Sequence, residues 1–352
     1  MKQALPAVTI VDLREELKNG NRSMFSETLV EAMRQRLDRG EQIVLFLNRR
    51  GYSSFVLCRD CGTVVQCTNC DISLTYHRSQ EKLKCHYCGY EEYVPQECPQ
   101  CQSDHIRFFG TGTQKVEEEI YRFFPEARVL RMDVDTTKKK GAHETILDAF
   151  GEGKADILLG TQMIAKGLDF PNITLVGVLS ADTSLHLPDY RAAERTFQLM
   201  TQVSGRAGRH ELPGEVVIQT YTPEHYAIEL SKEQLYEPFY EQEMALRRRS
   251  GYPPYFYVVL IQVSHVDVMM AADYAKRAAD WLRAELPFSV SIIGPTASSI
   301  SRLQNRYRYQ CLIKYKIEPT LIPVLQRLIS MYRAEWIKKD IILTVDLDPS
   351  TI

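Results

Sequence analysis

Cysteine is the residue type in this 352-residue sequence whose spacing points most directly to chemistry. Eight of the nine cysteines form four C-x-x-C pairs, Cys58/Cys61, Cys67/Cys70, Cys85/Cys88 and Cys98/Cys101. Two thiolates three residues apart can bind one tetrahedral metal ion from a single tight turn. The pattern predicts two structural zinc ions, each bound by four cysteines. Iron–sulfur ligation and a disulfide framework are the alternatives, and the N-terminus lacks the signal-peptide pattern of secreted disulfide proteins.

The distances between the pairs in sequence predict which of them share a metal ion. Five residues, 62–66, separate the first pair from the second, which is short for one mononuclear site. Fourteen residues, 71–84, separate the second pair from the third, close to zinc-ribbon spacing, and they predict a β-hairpin. We expect a nested arrangement, with zinc 1 bound by Cys58, Cys61, Cys98 and Cys101, and zinc 2 by Cys67, Cys70, Cys85 and Cys88. Four thiolates leave no open coordination position, so both sites should be structural.

Three histidines in the cysteine segment, His77, His86 and His105, are alternative ligands. A surface histidine of a zinc ribbon is more often unligated, so we expect them to make other contacts. Basic and aromatic residues such as Tyr76 and Lys82 share the predicted hairpin. This combination suits nucleic-acid contact and is equally compatible with an ordinary solvated surface.

Three further segments carry polar and glycine residues where predicted elements end. Residues 46–52 (FLNRRGY) and 160–169 (GTQMIAKGLD) each follow a predicted strand, and residues 202–209 (QVSGRAGR) end a predicted helix. In open α/β sheets, ligands gather beyond the carboxyl ends of the strands. Arg206 and Arg209 would lie one turn apart if the helix continues, and guanidinium groups can bind phosphate oxygens bidentately. For that pair alone, two solvated surface arginines are the alternative.

The elements that must position these residues alternate between strand and helix. We predict a helix capped by Ser26 and stopped by Gly40, and further helices at 115–124, 143–150 and 192–203. Strands are predicted at 42–47, 128–134, 157–160, 174–179 and 215–221. Such alternation indicates an α/β fold, a parallel sheet covered on both faces. The cysteine segment interrupts it at 53–105 and should be an insertion at one edge of the sheet.

A second domain is predicted after the sequence SGYPP at 250–254. The elements that follow are in the order β-α-β-β-α-β, which predicts a split βαβ sandwich, the ferredoxin-like fold. Between residues 302 and 339, nine lysines and arginines stand against two acidic residues, Glu318 and Glu335. We expect the loop 302–309, with Arg302, Arg306 and Arg308, to bind duplex or branched DNA, with a solvated surface as the alternative.

The composition is that of an ordinary globular protein. The chain has 43 Lys and Arg against 45 Asp and Glu, a net charge of -2, and 44% hydrophobic residues. These values exclude a polycationic coat protein, a fibrous protein and a wholly disordered chain. No apolar run approaches the ~18–20 residues of a membrane span, so no membrane association is expected.

The three motif segments, in this order, resemble the second RecA-like lobe of superfamily 2 helicases. Together with residues 170–171 (FP), 179–182 (LSAD) and the four cysteine pairs, they resemble the PriA family of replication-restart DNA helicases along essentially the whole chain. The resemblance implies a RecA-like lobe over 1–52 and 106–228, a zinc-binding insertion at 53–105, a helical linker at 229–250 and a DNA-binding domain at 251–352. It also implies the same nested cysteine pairing.

The resemblance assigns roles to individual residues. It implies that Arg206 and Arg209 reach the γ-phosphate of ATP, with Gln202 as a further catalytic residue. It places Gly167 and Asp169 in the nucleotide pocket. It implies contacts with the single-stranded DNA backbone for a set of residues comprising Gly110, Thr111, Thr113, Thr161 and Gln162.

The implied activity is that of an ATP-dependent 3′→5′ DNA helicase that restarts stalled replication forks and loads the primosome. The implied partners are single-stranded and branched DNA, single-stranded-DNA-binding protein and primosome proteins, with a cytoplasmic, nucleoid-associated location and a monomeric state. The sequence contains no G-x-x-x-x-G-K-[ST] and no Asp-Glu dipeptide. ATP and Mg²⁺ would therefore bind only together with the family's first lobe. We expect this chain to be part of a longer protein, beginning between the lobes, and to be inactive alone. A non-enzymatic zinc-ribbon module that binds DNA or protein is the alternative.

Overall fold

The structure is a computed structural model that describes residues 6–47, 55–70, 72–77, 80–109, 112–133, 136–137, 141–161, 164, 170–205, 207 and 212–352. The chain divides into two compact units. The first comprises Met1–Val64, Pro95–Leu187 and Arg191–Glu241, and the second Val65–Val94, Pro188–Tyr190 and Gln242–Ile352. No helix in the part that the structure describes is long and apolar enough to cross a membrane.

The regular structure of the described residues includes fifteen strands and ten α-helices, and a π-helix at Tyr332–Trp336 and a 3-10 helix at Ile337–Lys339 follow the last α-helix. The strands are β1 (Ala7–Asp12), β2 (Gln42–Phe46), β3 (Phe55–Cys58), β4 (Thr75–His77), β5 (Lys82–Lys84), β6 (Glu91–Tyr93), β7 (Ile106–Phe109), β8 (Val129–Met132), β9 (Ile157–Gly160), β10 (Ile173–Val178), β11 (Glu215–Thr220), β12 (Tyr257–His265), β13 (Ser291–Leu303), β14 (Arg306–Tyr315) and β15 (Ile342–Leu347). The helices are α1 (Leu13–Lys18), α2 (Glu27–Asp38), α3 (Thr113–Phe123), α4 (Ala142–Gly151), α5 (Asp182–Leu185), α6 (Ala192–Ser204), α7 (Tyr226–Lys232), α8 (Tyr236–Ser250), α9 (Val268–Glu285) and α10 (Leu321–Met331).

The first unit is built on a six-stranded sheet in the order β1-β11-β10-β2-β9-β8, with every neighbouring pair parallel. Successive residues of a strand point to opposite faces of the sheet, and every residue of the central strands β2 and β10 is buried. Helices therefore cover both faces of the sheet. In β2, Ile43 packs in a core with Leu29 of α2, whereas Val44 packs in a second core with Met200 of α6. The predicted parallel sheet with helices on both faces is confirmed.

Local sequence signals placed several of these elements correctly. Ser26 is the N-cap of α2, and its hydroxyl accepts a hydrogen bond from Leu29 N at 3.2 Å. The strand predicted at 157–160 is β9. No strand is predicted from the N-terminal residues, where β1 pairs in parallel with β11. Because β1 lies at the edge of the sheet and is only partly buried, its residues lack the continuous apolar run of the central strands.

The C-terminal part of the second unit is an antiparallel sheet in the order β13-β14-β12-β15. One face packs against α9 and α10, where Val263 of β12 and Ile313 of β14 meet Leu282 and Leu328. The sheet order and the β-α-β-β-α-β sequence confirm the predicted ferredoxin-like domain.

The predicted loop at 302–309 is wrong, because these residues form a hairpin. β13 continues to Leu303 and β14 begins at Arg306, so only Gln304 and Asn305 form the turn. Their φ values are +49° and +61°, the left-handed pair of a two-residue type I′ turn. Such turns usually carry glycine, and the absence of glycine at 304–305 concealed the hairpin from sequence inspection.

A histidine at the start of α7 makes the stability of the first unit depend on pH. His225 Nδ1 accepts a hydrogen bond from Ala227 N at 3.2 Å, and burial lowers the pKa of His225 to about 4. The pKa of a histidine in an unfolded chain is about 6.5, so between pH ~4 and ~6.5 the unfolded chain binds a proton at His225 that the folded chain does not bind. The stabilisation by neutral His225 is complete above pH ~6.5 and is lost as the pH falls towards ~4.

The variant His225→Asn keeps a side-chain N-cap acceptor but does not titrate in this range. When the pH is lowered from about 7.5 to 5.5, we expect its free energy of unfolding to fall by roughly 1 kcal/mol less than that of the unsubstituted chain. Urea unfolding at the two pH values measures the difference. Equal losses in both proteins would contradict the assignment of this pH dependence to His225.

Candidate metal centres and helicase motifs

The first cysteine cluster joins the two ends of the cysteine segment. β3 and β7 pair antiparallel, with Cys58 opposite Ile106. The Sγ atoms of Cys58 and Cys101 lie 3.6 Å apart, and those of Cys61 and Cys98 3.5 Å apart. All four Sγ atoms lie within 4.8 Å of one another. The first and fourth pairs, which are the outer two of the predicted nested arrangement, therefore form one site.

The second cysteine cluster is built by the inner two pairs around the three-stranded sheet β4-β5-β6. β4 and β5 form the predicted hairpin, in which Tyr76 is opposite Leu83. The Sγ atoms of Cys67 and Cys88 lie 3.5 Å apart, and the four Sγ atoms of this cluster again lie within 4.8 Å. The grouping is the one that the spacing predicts.

The donor sets fit tetrahedral zinc. Zinc–sulfur bonds of about 2.3 Å in a tetrahedron place the sulfur atoms about 3.8 Å apart. The measured separations of 3.5–3.6 Å are close to this value and far longer than the ~2.05 Å of a disulfide bond. Backbone amides support the second cluster, since Tyr87 N and Tyr90 N each lie 3.4 Å from a cysteine sulfur. Such amide contacts stabilise negative charge on thiolates.

Glycine completes the turn after two of the pairs. Gly62 and Gly89 have φ values of +78° and +80°, and their amides donate to the carbonyls of Cys58 and Cys85 at 2.9 Å. At Gly62 a Cβ atom would also lie 2.2 Å from the carbonyl oxygen of Tyr221. Any other residue at position 62 would therefore separate the first cluster from the end of β11.

An arginine attaches the first cluster to the parallel-sheet lobe. Arg14 donates to the carbonyl of Cys61 at 3.3 Å and forms ion pairs with Asp12 at 2.7 Å and Glu224 at 3.0 Å. Asp12 ends β1, and Glu224 follows β11. The position of the first cluster is thus fixed by side chains at the carboxyl ends of two neighbouring strands.

The second cluster is attached to the C-terminal domain. Tyr252 donates its hydroxyl to the carbonyl of Cys70 at 3.1 Å, and Gln310 of β14 donates to the carbonyl of His86 at 3.1 Å. His86 Nδ1 lies 3.1 Å from the carbonyl of Ala297 in β13 and donates to it. These contacts join the metal-binding turns of the inner pairs to the ferredoxin-like sheet within one unit.

The histidines of the segment have other contacts in the structure. The Nε2 atoms of His77 and His86 lie 3.2 Å apart, and burial lowers the pKa of both, to about 4 in His77. His105 Nδ1 lies 3.0 Å from the carboxylate of Asp60. All eight cysteines of the C-x-x-C pairs lie in the two clusters, four in each, so neither cluster needs a histidine ligand.

Two of the motif segments begin side by side at the carboxyl edge of the parallel sheet. Phe46 at the end of β2 is in register with Gly160 at the end of β9, and Leu47 N donates to the carbonyl of Gly160 at 2.8 Å. Gly160 has no room for a side chain, because a Cβ would lie 2.7 Å from Ile164 and 2.9 Å from the carbonyl of Met132. The sheet thus brings residues 46–47 and 160–161 together.

Three of the residues assigned by resemblance lie in the described part of this lobe. Gln202 is in the last turn of α6, and half-buried Thr161 directly follows β9. Thr113 begins α3, is buried, and donates its hydroxyl to Asp133 Oδ2 at 2.6 Å. The remaining residues lie outside the described part of the chain; they are Gly110, Thr111, Gln162, Gly167, Asp169, Arg206 and Arg209.

A buried carboxylate whose role the sequence analysis missed organises the region before α6. Asp182 begins α5 and accepts hydrogen bonds from Thr220 Oγ1 and Thr222 Oγ1, both at 3.0 Å, and from Tyr221 N at 3.1 Å. α5 is in turn joined to α6, because Thr196 Oγ1 donates to Ser184 Oγ at 2.8 Å. In the sequence, Asp182 lies four residues after the end of the buried strand β10 and is the last residue of the segment 179–182 (LSAD).

The three arginines predicted to bind DNA lie on the β13–β14 hairpin and differ in their partners. Arg306 forms an ion pair with Asp340 at 2.8 Å. Arg308 donates to Gln262 Oε1 at 2.8 Å, and the guanidinium carbon of Arg302 lies 5.1 Å from the centre of the Tyr307 ring.

Three family models match consecutive parts of the chain. The PriA DNA helicase Cys-rich region domain matches residues 67–92, the helicase conserved C-terminal domain matches 92–211, and the primosomal protein N C-terminal domain matches 248–350. With the parallel sheet and the position of the motifs, these matches define the class: the first unit is a RecA-like helicase lobe.

The particular relatives are replication restart proteins. The chain is 62% identical over 347 residues to the replication restart protein PriA of Bacillus subtilis (strain 168), covering 99% of this chain and 43% of that protein. It is 47% identical over 353 residues to PriA of Synechocystis sp., covering 99% and 42%. The resemblance to PriA found in the motifs is confirmed, and the chain spans less than half the length of these two relatives.

Among solved structures, the chain is similar to the Pyrococcus furiosus Hef helicase domain. The TM-score is 0.28 at 20% sequence identity, and the match covers 58% of this chain and 28% of the other.

Proposed function

We propose that this chain is the second motor lobe, with its zinc-binding segment and C-terminal domain, of an ATP-dependent 3′→5′ DNA helicase that restarts stalled replication forks and loads the primosome. One observation carries the proposal: the segment 160–169 begins at the carboxyl edge of a RecA-like parallel sheet, within the region 92–211 that matches the helicase C-terminal domain. Ligands of such sheets bind at this edge.

ATP with Mg²⁺ would bind between this lobe and polypeptide that carries a P-loop. Arg206 and Arg209 would contact the γ-phosphate, with Gln202 beside them, and Gly167 and Asp169 would line the pocket. The Asp182 network supports this assignment, because it ties α5 and hence α6 to the end of β11, and α6 leads directly to both arginines. A rigid supporting helix keeps guanidinium groups in position for phosphate.

Single-stranded DNA would cross the same lobe at Gly110, Thr111, Thr113, Thr161 and Gln162. The hydroxyl of Thr113 is used by Asp133, so this residue would contribute its backbone amide at the start of α3. Free amides at a helix start bind phosphate favourably. Arg302, Arg306 and Arg308 would contact duplex or branched DNA from the C-terminal domain.

The two zinc ions would be structural, because four thiolates saturate each site. We further propose single-stranded-DNA-binding protein and primosome proteins as partners of the whole protein, and a monomeric, cytoplasmic, nucleoid-associated state. Support for these points comes from the relatives, which are replication restart proteins.

The chain by itself is expected to show no DNA-stimulated ATP hydrolysis. The P-loop lysine and the magnesium-binding carboxylate hold the nucleotide in related motors, and the sequence has neither motif. A malachite-green assay with saturating single-stranded DNA should give phosphate release equal to that of the Arg209→Ala variant. Faster release by the unsubstituted chain would contradict the proposed division of the active site between two lobes.

A further inference from the structure

The β13–β14 hairpin ends in an unusually exposed tip. β13 is an edge strand of the ferredoxin-like sheet, and all seven residues from 299 to 305 are exposed. The two-residue turn at Gln304 and Asn305 makes the hairpin narrow at its end. A narrow, exposed hairpin can enter a groove or a junction that a flat surface cannot.

A bulge in β13 pushes part of this tip outward. Ala297 is in register with Tyr309 and Arg302 with Tyr307, so residues 298–301 oppose Arg308 alone. The base of the bulge is held, because Ser298 is buried and accepts a hydrogen bond from Gln262 Nε2 at 3.2 Å. The residues after Ser298 therefore project from a fixed point, as expected of a bulge that redirects side chains.

The projecting residues include two large apolar side chains. Ile300 and Leu303 are 58% and 50% exposed, although both belong to a regular strand. Isolated exposed apolar residues are common on proteins. Here two of them lie within four residues on a supported projection, an arrangement that proteins use to insert apolar wedges between base steps.

Two cations beside the tip have no carboxylate partner among the described residues. Arg308 is partly buried and uses Nε and Nη2 on the amide oxygen of Gln262, at 3.1 and 2.8 Å. Arg302 lies over the Tyr307 ring and donates to Asn305 Oδ1 at 3.3 Å. Both keep their positive charge uncompensated, which favours an anionic ligand with several oxygens, such as phosphate. Arg306 differs, since Asp340 neutralises it.

We propose that the tip of this hairpin is a wedge that opens the first base pair where duplex DNA meets single-stranded DNA. Ile300 and Leu303 contact the unstacked base, while Arg302 and Arg308 bind neighbouring phosphates. Nucleic acid is the partner class that offers phosphates next to exposed base faces, matching uncompensated cations next to apolar side chains. This inference rests on the DNA binding included in the proposed function.

A forked DNA with 2-aminopurine in the first base pair of the duplex tests the wedge. The fluorescence of 2-aminopurine rises when the base unstacks, and we expect such a rise on saturation with the zinc-loaded 352-residue chain. The variant Ile300→Ser/Leu303→Ser should reduce the rise at least about threefold and leave Kd for the fork within about twofold. The matched control is Ile317→Ser, which removes an apolar side chain that is 82% exposed elsewhere in the same domain.

The phosphate contact has its own measurement. Arg308→Gln should weaken fork binding and lower the slope of log Kd against log salt by about one unit, whereas Arg249→Gln on α8 should leave the slope unchanged. The wedge is overturned if the chain binds the fork but the double variant reduces the fluorescence rise no more than Ile317→Ser does, or if neither variant reduces it. DNA binding by the chain would then still stand. Fork binding that is absent altogether overturns both the wedge and the DNA-binding part of the proposed function.

Discussion

Cys85→Ala is expected to reduce bound zinc from two ions per chain to one and to unfold residues 65–94. A structural zinc site in a small peptide contributes roughly 10–16 kcal/mol, as much as the ~5–15 kcal/mol net stability of a whole domain. The three strands around the second cluster have three residues each, too short to fold without the metal. Metal analysis by mass spectrometry and hydrogen exchange measure the two effects.

The loss of protection should extend into the C-terminal domain. Tyr252 and Gln310 both donate to backbone carbonyls of the inner cysteine turns, so these donors lose their partners when the metal leaves. Faster exchange is expected near Tyr252. By contrast, Cys58→Ala should release the other zinc ion and affect the region around Arg14, which donates to Cys61.

Cys311→Ala is the matched control. Cys311 is the ninth cysteine, is buried in the core between β14 and the helices, and belongs to neither cluster. Its substitution removes a thiol and a small buried volume and should leave two zinc ions per chain. A Cys85→Ala variant that still binds two ions tightly would show that four thiolates are not what holds the second metal.

Arg209→Ala is expected to lower ATP turnover about 10³–10⁵-fold in a chain joined to polypeptide that supplies the P-loop. A guanidinium group that reaches the γ-phosphate from a second lobe stabilises charge that develops during phosphoryl transfer. DNA affinity should stay within about twofold, because the nucleotide and DNA contacts involve different residues. Steady-state turnover on single-stranded DNA and a filter-binding assay measure the two quantities.

Two further variants sharpen this test. Arg209→Lys should recover little of the turnover, since an ammonium group cannot bind phosphate with a planar fork. Arg249→Ala removes an exposed arginine from α8 and should leave turnover unchanged. If Arg209→Ala leaves turnover unchanged as well, the chain is better described as a non-enzymatic zinc-ribbon module on an α/β scaffold.

Short-range patterns were enough to predict most of the architecture and the metal ligands. The C-x-x-C spacing and the lengths between pairs predicted both four-cysteine groups, because a turn and a short hairpin are local structures. Alternating strand and helix patterns predicted the parallel sheet, and a capping residue such as Ser26 located a helix start. The positive φ values of Gly62 and Gly89 belong to the same local turns.

Other features depend on residues that are far apart in sequence, and the periodicity of a single segment does not predict them. β1 is a strand because β11, about 200 residues later, pairs with it. The role of Asp182 likewise depends on Thr220 and Thr222, which lie 38 and 40 residues further along the chain.

Residue types and their local spacing were sufficient to predict the two four-cysteine groups, most of the elements and the family. Tertiary contacts alone assigned each cysteine cluster to its own compact unit, through Arg14 for the first and through Tyr252, His86 and Gln310 for the second. They also turned the predicted loop at 302–309 into a hairpin, by pairing its residues with each other and with β12. The physical reason is that metal turns and helix caps are satisfied by neighbours in sequence, whereas docking and strand pairing are satisfied by whichever distant groups the fold brings near.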